Sequence, residues 1–350
     1  MLQQNELYMQ RCLQLAELGT GNVAPNPMVG AVLVYNDRII GEGYHEKYGE
    51  AHAEVNCVES VSEEDKHLIK ESCLYVSLEP CAHFGKTPPC ADMIIKNKIP
   101  KVIIGCRDQF KEVNGRGIEK LKAANIIVET GILEKESTEL NKRFLIFHEK
   151  KRPFIVLKWA QSSDKKIAAN NNKRLLISNE FTNRLVHKWR SEEAAILVGT
   201  NTVFLDNPSL TNRLWSGKNP IRLILDKDLK LPENLKIFSN DTPTIVFNLY
   251  KNTIDSRTTL GNKIFFRQIK NGNIPEEICK ACFELNIQSI LVEGGTKLLQ
   301  SFIDQKLYDE IRIITNQKMI IENGLNAPEF LPTKLFKQEN VKNDKIEFFL

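Results

Sequence analysis

The sequence predicts an α/β protein of two domains. Its 350 residues exceed the size of one average domain. Short segments rich in Val, Ile and Leu alternate with amphipathic segments in both halves, as in layered proteins that pack helices on sheets. The charged segment 149–153, which ends in a proline, separates the two alternating series. We therefore expect one domain over 1–149 and another over 150–350.

In the first half, apolar spacing predicts a helix over 6–18, followed by a hairpin of strands 29–35 and 38–43 around the turn Asn36-Asp37. The elements expected after the hairpin are helix 52–60, strand 73–78, helix 89–97, strand 101–105, helix 117–124, strand 126–128 and a closing helix 140–148. This order predicts a layer of helices on a mixed sheet.

The second half restarts the alternation without repeating the first. Strands are expected at 154–158, 194–198, 221–225, 244–248, 289–292 and 310–315, and helices at 179–190, 275–285 and 296–305. Within the helix 275–285, Cys279 and Cys282 form a C-x-x-C without a partner pair, which indicates core packing rather than a metal site.

Composition argues against several classes of protein. A net charge of +4 is too small to indicate nucleic-acid binding, and no apolar run reaches the length of a membrane span. The N-terminal residues lack the basic and apolar regions of a secretory signal, so we expect a cytoplasmic protein. Its eight cysteines then favour reduced thiols or metal binding over disulfides.

The most informative stretch runs from His52 to Cys90. One imidazole, from His52, and two thiolates, from Cys81 and Cys90, can hold a zinc ion and leave a fourth position for water. Glu54 lies two residues past His52, close to the metal without binding it, where a carboxylate can carry protons from the activated water to a leaving nitrogen. The alternative is that these cysteines are merely buried small side chains.

A rigid loop and a histidine precede this stretch. Two prolines fix the backbone around Asn26, whose amide offers both a donor and an acceptor to a substrate; a simple turn is the alternative. His45 follows the second strand just ahead of His52, which favours a role in the site over an ordinary surface position. Lys86 lies between the two metal cysteines, and a cation there indicates an anionic substrate group, with His83 and Asn26 contacting the ring.

Three stretches of the second half carry polar residues or paired glycines. They are 158–164 at an expected strand end, 198–202 with the loop 206–213, and 292–296 before a helix. Gly294 and Gly295 would let backbone N–H groups approach a phosphate, so a phosphate or nucleotide site is predicted; a tight turn with a capping threonine is the alternative. The dinucleotide fingerprint G-x-G-x-x-G is absent.

The segment 79–90 reads E-P-C-A-H-F-G-K-T-P-P-C, whose cysteines are separated by eight residues rather than the two of the general deaminase signature. Together with P-N-P-M-V-G at 25–30 and V-N-G-R-G at 113–117, it resembles the bifunctional deaminase–reductase of riboflavin biosynthesis. The resemblance continues through the second half. It implies a cytidine-deaminase-like three-layer domain followed by a dihydrofolate-reductase-like α/β domain, with one Zn²⁺ per chain and NADPH as cofactors. It also implies a phosphorylated pyrimidine substrate and a homo-oligomer, either a dimer or a tetramer.

The resemblance also implies further site residues. Asp108 would join the deaminase substrate residues. The implied reductase substrate residues are Lys158, Arg190, Leu210, Arg213 and Glu293. The implied cofactor residues are Ala160, Thr202, Asp206, Gly295, Thr296, Lys297 and Leu298.

The sequence departs from the family pattern at four positions. Lys165 replaces the glycine of D-G-K, so that loop is expected to run differently. Arg174 and Leu176 stand where serine and tryptophan are usual, and Phe110 lies where the D-P-N-P motif is lost.

Two other functions fit part of the pattern. A nucleic-acid deaminase acting on tRNA adenosine would share the H-x-E motif but would want a short C-x-x-C and a basic face. A non-catalytic binding module stabilised by zinc would have no use for the carboxylate of Glu54.

Overall fold

The computed structural model describes residues 2–84, 88–108, 114–170, 175–239, 241–254, 261 and 263–350. The chain divides into two compact units, Met1–Lys151 and Arg152–Leu350. The division falls within the charged segment 149–153. Within the described part of the chain, no helix is long and apolar enough to cross a membrane.

The first unit contains a mixed sheet with helices on both faces. Its helices are α1 Leu2–Glu17, α2 Ala53–Glu59, α3 Cys90–Lys96, α4 Arg116–Ala123, α5 Glu134–Leu140 and α6 Lys142–Lys150, and its strands are β1 Gly30–Tyr35, β2 Arg38–Tyr44, β3 Cys73–Leu78, β4 Lys101–Cys106 and β5 Ile127–Thr130. The strand order is β2-β1-β3-β4-β5. Strand β1 pairs antiparallel with β2 and β3, whereas β3, β4 and β5 run parallel.

Alternation along β1 sets the layers of this unit. Ala31 and Leu33 pack with residues of α2, α3 and α4 in one apolar cluster. Val32 and Val34 point to the opposite face, where they pack with residues of α1. Because successive strand side chains face opposite sides, the described residues form three layers, as predicted.

The predicted hairpin and the strand 73–78 are confirmed, and α2 and α3 each begin and end one residue inside the predicted helices. Helix α5 was not predicted, and the closing helix begins at Lys142 rather than at residue 140.

The second unit is built on a larger sheet. Its strands are β6 Phe154–Ser162, β7 Lys166–Ala169, β8 Ala195–Gly199, β9 Ile221–Leu225, β10 Thr244–Asn248, β11 Ile264–Gln268, β12 Ser289–Gly294, β13 Glu310–Asn316, β14 Gly324–Asn326, β15 Leu335–Val341 and β16 Asp344–Phe349; its helices are α7 Glu180–Glu192, α8 Thr200–Asp206, α9 Ile274–Glu284 and α10 Thr296–Asp304. The described strands of the main sheet follow the order β11-β10-β9-β8-β12-β6-β13-β16-β15, and β14 pairs separately with β7. The seven strands from β11 to β13 run parallel, and β16 and β15 complete the sheet in antiparallel pairing.

The two faces of this sheet differ. Leu157 of β6 and Val292 of β12 belong to the main apolar cluster, which includes residues of α9 and α10. Because strand side chains alternate, the next residues, Lys158 and Glu293, face the other side. Cys279 and Cys282 lie in the main cluster, which agrees with the prediction of core packing.

Two predictions about the second unit are wrong. The stretch 158–164 does not begin at a strand end, because β6 continues to Ser162. No helix is predicted between the strand 194–198 and the loop 206–213, but Thr200–Asp206 is helix α8. The β-branched residues of this segment and Asn201 have low helix propensity. Burial of Val203 in a second apolar cluster stabilises the helix nevertheless.

Candidate active sites

Three side chains of the first unit converge as the sequence predicts. The ligand atoms of His52, Cys81 and Cys90 all lie within 4.8 Å of one another. The Nδ1 atom of His52 is 3.5 Å from the sulfur of Cys81 and 3.3 Å from that of Cys90. His52 is the N-cap residue of α2, and Cys90 is the first residue of α3. One nitrogen and two sulfur donors form the kind of ligand set that zinc prefers, with room for a fourth ligand.

The surroundings of Cys81 favour its thiolate. A hydrogen bond with the Cys90 thiol lowers the pKa of Cys81 although burial raises it, while the same bond and burial raise the pKa of Cys90. The backbone N–H of Cys90 also donates to the Cys81 sulfur, at 3.3 Å. Zinc binds cysteine as the thiolate, which is the form that this hydrogen bonding favours at Cys81.

Glu54 lies in the first turn of α2 and is only 3 % exposed. Burial raises the pKa of its carboxyl group, and the nearby His52 opposes that shift. Its oxygens are not among the three converging ligand atoms. A buried carboxylate beside a metal, but not bound to it, can accept and release a proton during a reaction.

His45 joins Asn26 to this centre. The Nδ1 atom of His45 contacts the Ala51 carbonyl at 2.9 Å, and its Nε2 atom contacts the Asn26 amide nitrogen at 3.1 Å. Both contacts are hydrogen bonds if Nδ1 carries the proton and Nε2 accepts from Asn26. The His45 ring meets that of His52 edge to face, with centroids 5.3 Å apart. The Asn26 loop is therefore linked to the metal centre through one buried histidine.

The structure describes some of the other predicted deaminase residues and not the rest. His83 is half-buried two residues after Cys81, and Asp108 is 5 % exposed just beyond the end of β4. Lys86 and Phe110 lie outside the described residues.

Sequence reasoning missed Glu79, a buried carboxylate that accepts hydrogen bonds from four backbone N–H groups. The E-P-C motif contains it, but its partners lie about thirty or more residues further along the chain.

In the second unit, three of the predicted substrate residues form a buried charged group. Arg190 of α7 donates two hydrogen bonds of 2.7 Å to the carboxylate of Glu293. The ammonium of Lys158 lies 3.9 Å from the same carboxylate. Burial raises the pKa of Glu293, but the charges of Arg190 and Lys158 outweigh it and lower that pKa to about 2. Burial lowers the pKa of Lys158, and the charge of Glu293 opposes that shift. A guanidinium and a lysine amine beside one carboxylate suit a phosphorylated ligand.

A neutral histidine fixes the segment that carries the next cation. The Nδ1 atom of His187 accepts hydrogen bonds from the backbone N–H groups of Arg213 and Leu214, at 2.9 and 3.4 Å. Burial, with Arg190 and Arg213 nearby, lowers the pKa of His187 to about 4. The Arg213 side chain donates to the hydroxyl of Thr211 at 2.9 Å. Sequence reasoning did not identify His187, since a histidine on a helix carries no distinctive pattern.

The paired glycines lie beside Thr202. A Cβ atom on Gly294 would come within 3.2 Å of the Thr202 side chain, and one on Gly295 within 3.5 Å. Gly295 adopts φ +77, a conformation that favours glycine, and it caps α10 without a side-chain hydrogen bond. Gly199 likewise begins α8 without a side-chain cap. Backbone N–H groups at the starts of two helices can bind the phosphates of a dinucleotide, and the lack of a Cβ atom lets Gly294 pack closely against Thr202.

The remaining predicted residues occupy varied places. Ala160 is half-buried within β6, Asp206 ends α8, and Thr296 and Lys297 begin α10. Leu298 packs in the main apolar cluster. Leu210 is 3 % exposed in the smaller cluster with Val203, so its side chain serves the core. Roles for these residues in binding stay predictions.

The loop expected to differ at Lys165 keeps a glycine-like backbone. Lys165 adopts φ +58, in the left-handed region that favours glycine. Its N–H still donates to Ser162, and its carbonyl accepts from Ala327. Leu176 is 68 % exposed, and Arg174 lies outside the described residues.

Two family models match the chain in consecutive segments. Residues 2–106 match the zinc-binding region of cytidine and deoxycytidylate deaminases, and residues 153–345 match the RibD C-terminal domain. Every residue of the converging His and Cys set lies in the first segment, and the Arg190–Glu293 group lies in the second.

Curated relatives and a solved structure match nearly the whole chain. The riboflavin biosynthesis protein RibD of Aquifex aeolicus is 38 % identical over 98 % of this chain and 97 % of its own length. That of Bacillus amyloliquefaciens is 40 % identical over 95 % of this chain and 89 % of its own length. A crystal structure from Thermotoga maritima, titled a diaminohydroxyphosphoribosylaminopyrimidine deaminase/5-amino-6-(5-phosphoribosylamino)uracil reductase, superposes with a TM-score of 0.87 at 35 % identity and covers 99 % of this chain and 98 % of its own.

Proposed function

The chain belongs to the RibD family of riboflavin biosynthesis proteins, and on that premise we propose that it catalyses two successive reactions. The first unit removes the 2-amino group of 2,5-diamino-6-(5-phosphoribosylamino)pyrimidin-4-one by hydrolysis. The second unit reduces the ribosyl chain of the product to a ribityl chain, with hydride from NADPH. One observation carries the deaminase half: a buried non-ligand carboxylate, Glu54, adjoins a three-membered zinc ligand set.

The deaminase residues divide the work of hydrolysis. His52, Cys81 and Cys90 would hold zinc, which would act as a Lewis acid and make water nucleophilic at neutral pH. Glu54 takes a proton from the attacking water and delivers it to the departing amino nitrogen. Asn26 and His45 form one hydrogen-bonded unit beside the metal ligands and orient the pyrimidine ring. We assign His83, Lys86 and Asp108 to substrate binding as well, with Lys86 directed to the phosphate.

The rival functions account for less. A zinc-stabilised binding module would have no use for Glu54 in its buried position. A tRNA adenosine deaminase would not need the second unit, whose segment 153–345 matches the RibD C-terminal domain. The absence of nucleic acid among the partners stays our proposal.

The reductase residues bind and orient NADPH and the phosphorylated sugar. NADPH would bind at the paired glycines 294 and 295, next to Thr202, and would supply the hydride for the sugar carbon. Ala160, Asp206 and the start of α10 complete that cofactor site. Lys158, Arg190 and Arg213 provide cations for the phosphorylated sugar, and Glu293 holds the first two in place.

An absorbance assay of the purified protein tests this function. With the diaminopyrimidinone alone, we expect release of ammonia and accumulation of the unreduced deaminated product. On addition of NADPH, the absorbance of the reduced nicotinamide should fall as that product is consumed. If NADPH is oxidised without ammonia release, or ammonia is released and NADPH is never oxidised, the bifunctional assignment is wrong.

Assembly and location complete the proposal. The protein acts as a homo-oligomer, a dimer or a tetramer, in the cytoplasm. Light scattering on a sizing column tests the assembly, since a single monomeric peak at working concentration would contradict it.

A further inference from the structure

A buried carboxylate two residues before the zinc ligand Cys81 has no role in the scheme above. Glu79 is 4 % exposed and directly follows β3. Its own backbone N–H donates to the carbonyl of Cys106, which continues the pairing of β3 with β4. Within the described part of the chain no lysine or arginine forms a salt bridge with it. A carboxylate in such a place needs other donors.

Four backbone N–H groups supply those donors. Oxygen Oε2 accepts from the N–H groups of Asp108, at 3.3 Å, and Gly115, at 3.0 Å. Oxygen Oε1 accepts from those of Gly117, at 3.1 Å, and Ile118, at 3.3 Å. Both oxygens therefore act only as acceptors, and one side chain binds the backbone just after β4 together with the start of α4.

The backbone is also closely packed around this carboxylate. A Cβ atom on Gly117 would lie 1.9 Å from the carbonyl oxygen of Pro80, so only glycine permits α4 to begin there. Gly115 adopts φ +89, which likewise favours glycine. The chain around Glu79 and Pro80 is thus pressed against the start of α4, and the next residue is the ligand Cys81.

We infer that Glu79 is a positioning residue of the deaminase site, whose four hydrogen bonds fix the chain next to Cys81 against the start of α4 and the backbone N–H of Asp108. The inference rests on the proposed function, in which Cys81 holds zinc and Asp108 contacts the substrate. Glu79 itself is neither one of the zinc ligands nor one of the proposed substrate contacts. Glu79 acts on Cys81 through the chain that joins them, and on Asp108 through the hydrogen bond from its backbone N–H. Residues that orient metal ligands commonly act in this indirect way.

Two substitutions at Glu79 and one control test this role. Glu79→Gln turns an amide N–H₂ group toward two N–H donors, whereas Glu79→Asp keeps both acceptors but shortens their reach. Glu42→Gln is the control, because Glu42 accepts two hydrogen bonds from Arg11, at 2.7 and 2.9 Å, and belongs to neither site. Zinc affinity is measured by chelator competition, deamination by kcat/KM, and reduction of pre-deaminated substrate on the same samples.

For Glu79→Gln we expect zinc affinity and deamination kcat/KM to fall by about 10- to 100-fold, with reduction unchanged. Glu79→Asp should recover part of both losses, and Glu42→Gln should match the wild type in every rate. Zinc affinity and deamination within twofold of wild type in Glu79→Gln, with only a lower Tm, would overturn the inference. If Glu79→Gln does not fold, Glu79→Asp decides by the same two readouts, and wild-type values would again overturn it. Absence of deamination in the wild-type protein would refute the proposed function, while the order of zinc affinities would still test the positioning role.

Discussion

The guanidinium of Arg190 holds the carboxylate of Glu293 through two hydrogen bonds of 2.7 Å, joining helix α7 to the end of strand β12. The carboxylate and the nearby Lys158 ammonium are both nearly buried. A buried cation without its partner is strongly unfavourable, so Glu293 makes it possible for Arg190 and Lys158 to lie together where a phosphorylated ligand can bind.

Glu293→Gln should therefore destabilise the second unit markedly. Removing one partner of a buried ion pair costs roughly 3 kcal/mol or more, because the other charge stays buried. Glu347→Gln is the control, since its partner Lys345 is more exposed and such surface pairs contribute about 1 kcal/mol or less. Urea denaturation at pH 7 measures both. Similar small losses in the two variants would contradict the structural role assigned to Glu293.

The buried His187 predicts a pH dependence of stability. Its pKa falls from an ordinary value of 6.5 to about 4 in the folded protein, so the unfolded chain takes up the proton first as pH falls. The stabilisation is thus fully present above about pH 6.5 and is lost progressively as pH falls toward 4. Between pH 7.5 and 5.0 the wild type should lose roughly 1–2 kcal/mol more than His187→Gln. Equal losses in the two proteins would contradict this prediction.

Lys165→Gly should stabilise the protein. The left-handed conformation costs a residue with a Cβ atom about 1–2 kcal/mol, and the greater freedom of glycine in the unfolded chain offsets part of the gain. A net gain of about 0.5–1 kcal/mol is expected in the free energy of unfolding. Asn170→Gly is a suitable comparison, because Asn170 is exposed and is not among the residues with positive φ. If both substitutions destabilise equally, the strain at Lys165 is not real.

Glu54→Gln should separate zinc binding from deamination. The side chain keeps its size and loses the group that accepts a proton, and its oxygens do not belong to the ligand set. Metal analysis should show one zinc ion per chain, as in the wild type, while deamination falls by at least ~10²-fold. Cys90→Ser provides the opposite control, since it should lose zinc. A Glu54→Gln protein without zinc, or one with near-normal turnover, would refute the assigned role.

Local sequence was enough to place the metal centre. His52 and Cys90 lie at the starts of two helices that the sequence predicts, Cys81 follows the predicted strand 73–78, and the fold brings all three together. The apolar run 29–35 predicts strand β1, whose successive side chains pack on opposite faces of the sheet. In these regions local pattern and tertiary packing favour the same structure.

Other features could not be predicted, because the apolar periodicity was too weak or the hydrogen-bond partners lie too far apart in the sequence. Strand β15 shows no apolar alternation because it lies at the sheet edge with most of its residues exposed. Helix α8 depends on the burial of Val203. Glu79 and His187 act on backbone N–H groups about thirty residues away, and a backbone donor leaves no mark in the sequence. Such residues emerge only once the fold is known.

The central claim is that one chain carries two independent catalytic sites, and assaying both reactions on two variants tests it most directly. Cys81→Ser removes a zinc ligand of the first unit, and Lys158→Met removes a buried cation of the second. We expect the Cys81→Ser protein to lose deamination. Its reductase activity on pre-deaminated substrate should equal that of the wild type. We expect Lys158→Met to deaminate normally while its reduction kcat/KM falls about 10- to 100-fold, the effect of one charged hydrogen bond. Loss of both reactions in either variant, with its melting curve unchanged, would contradict the account.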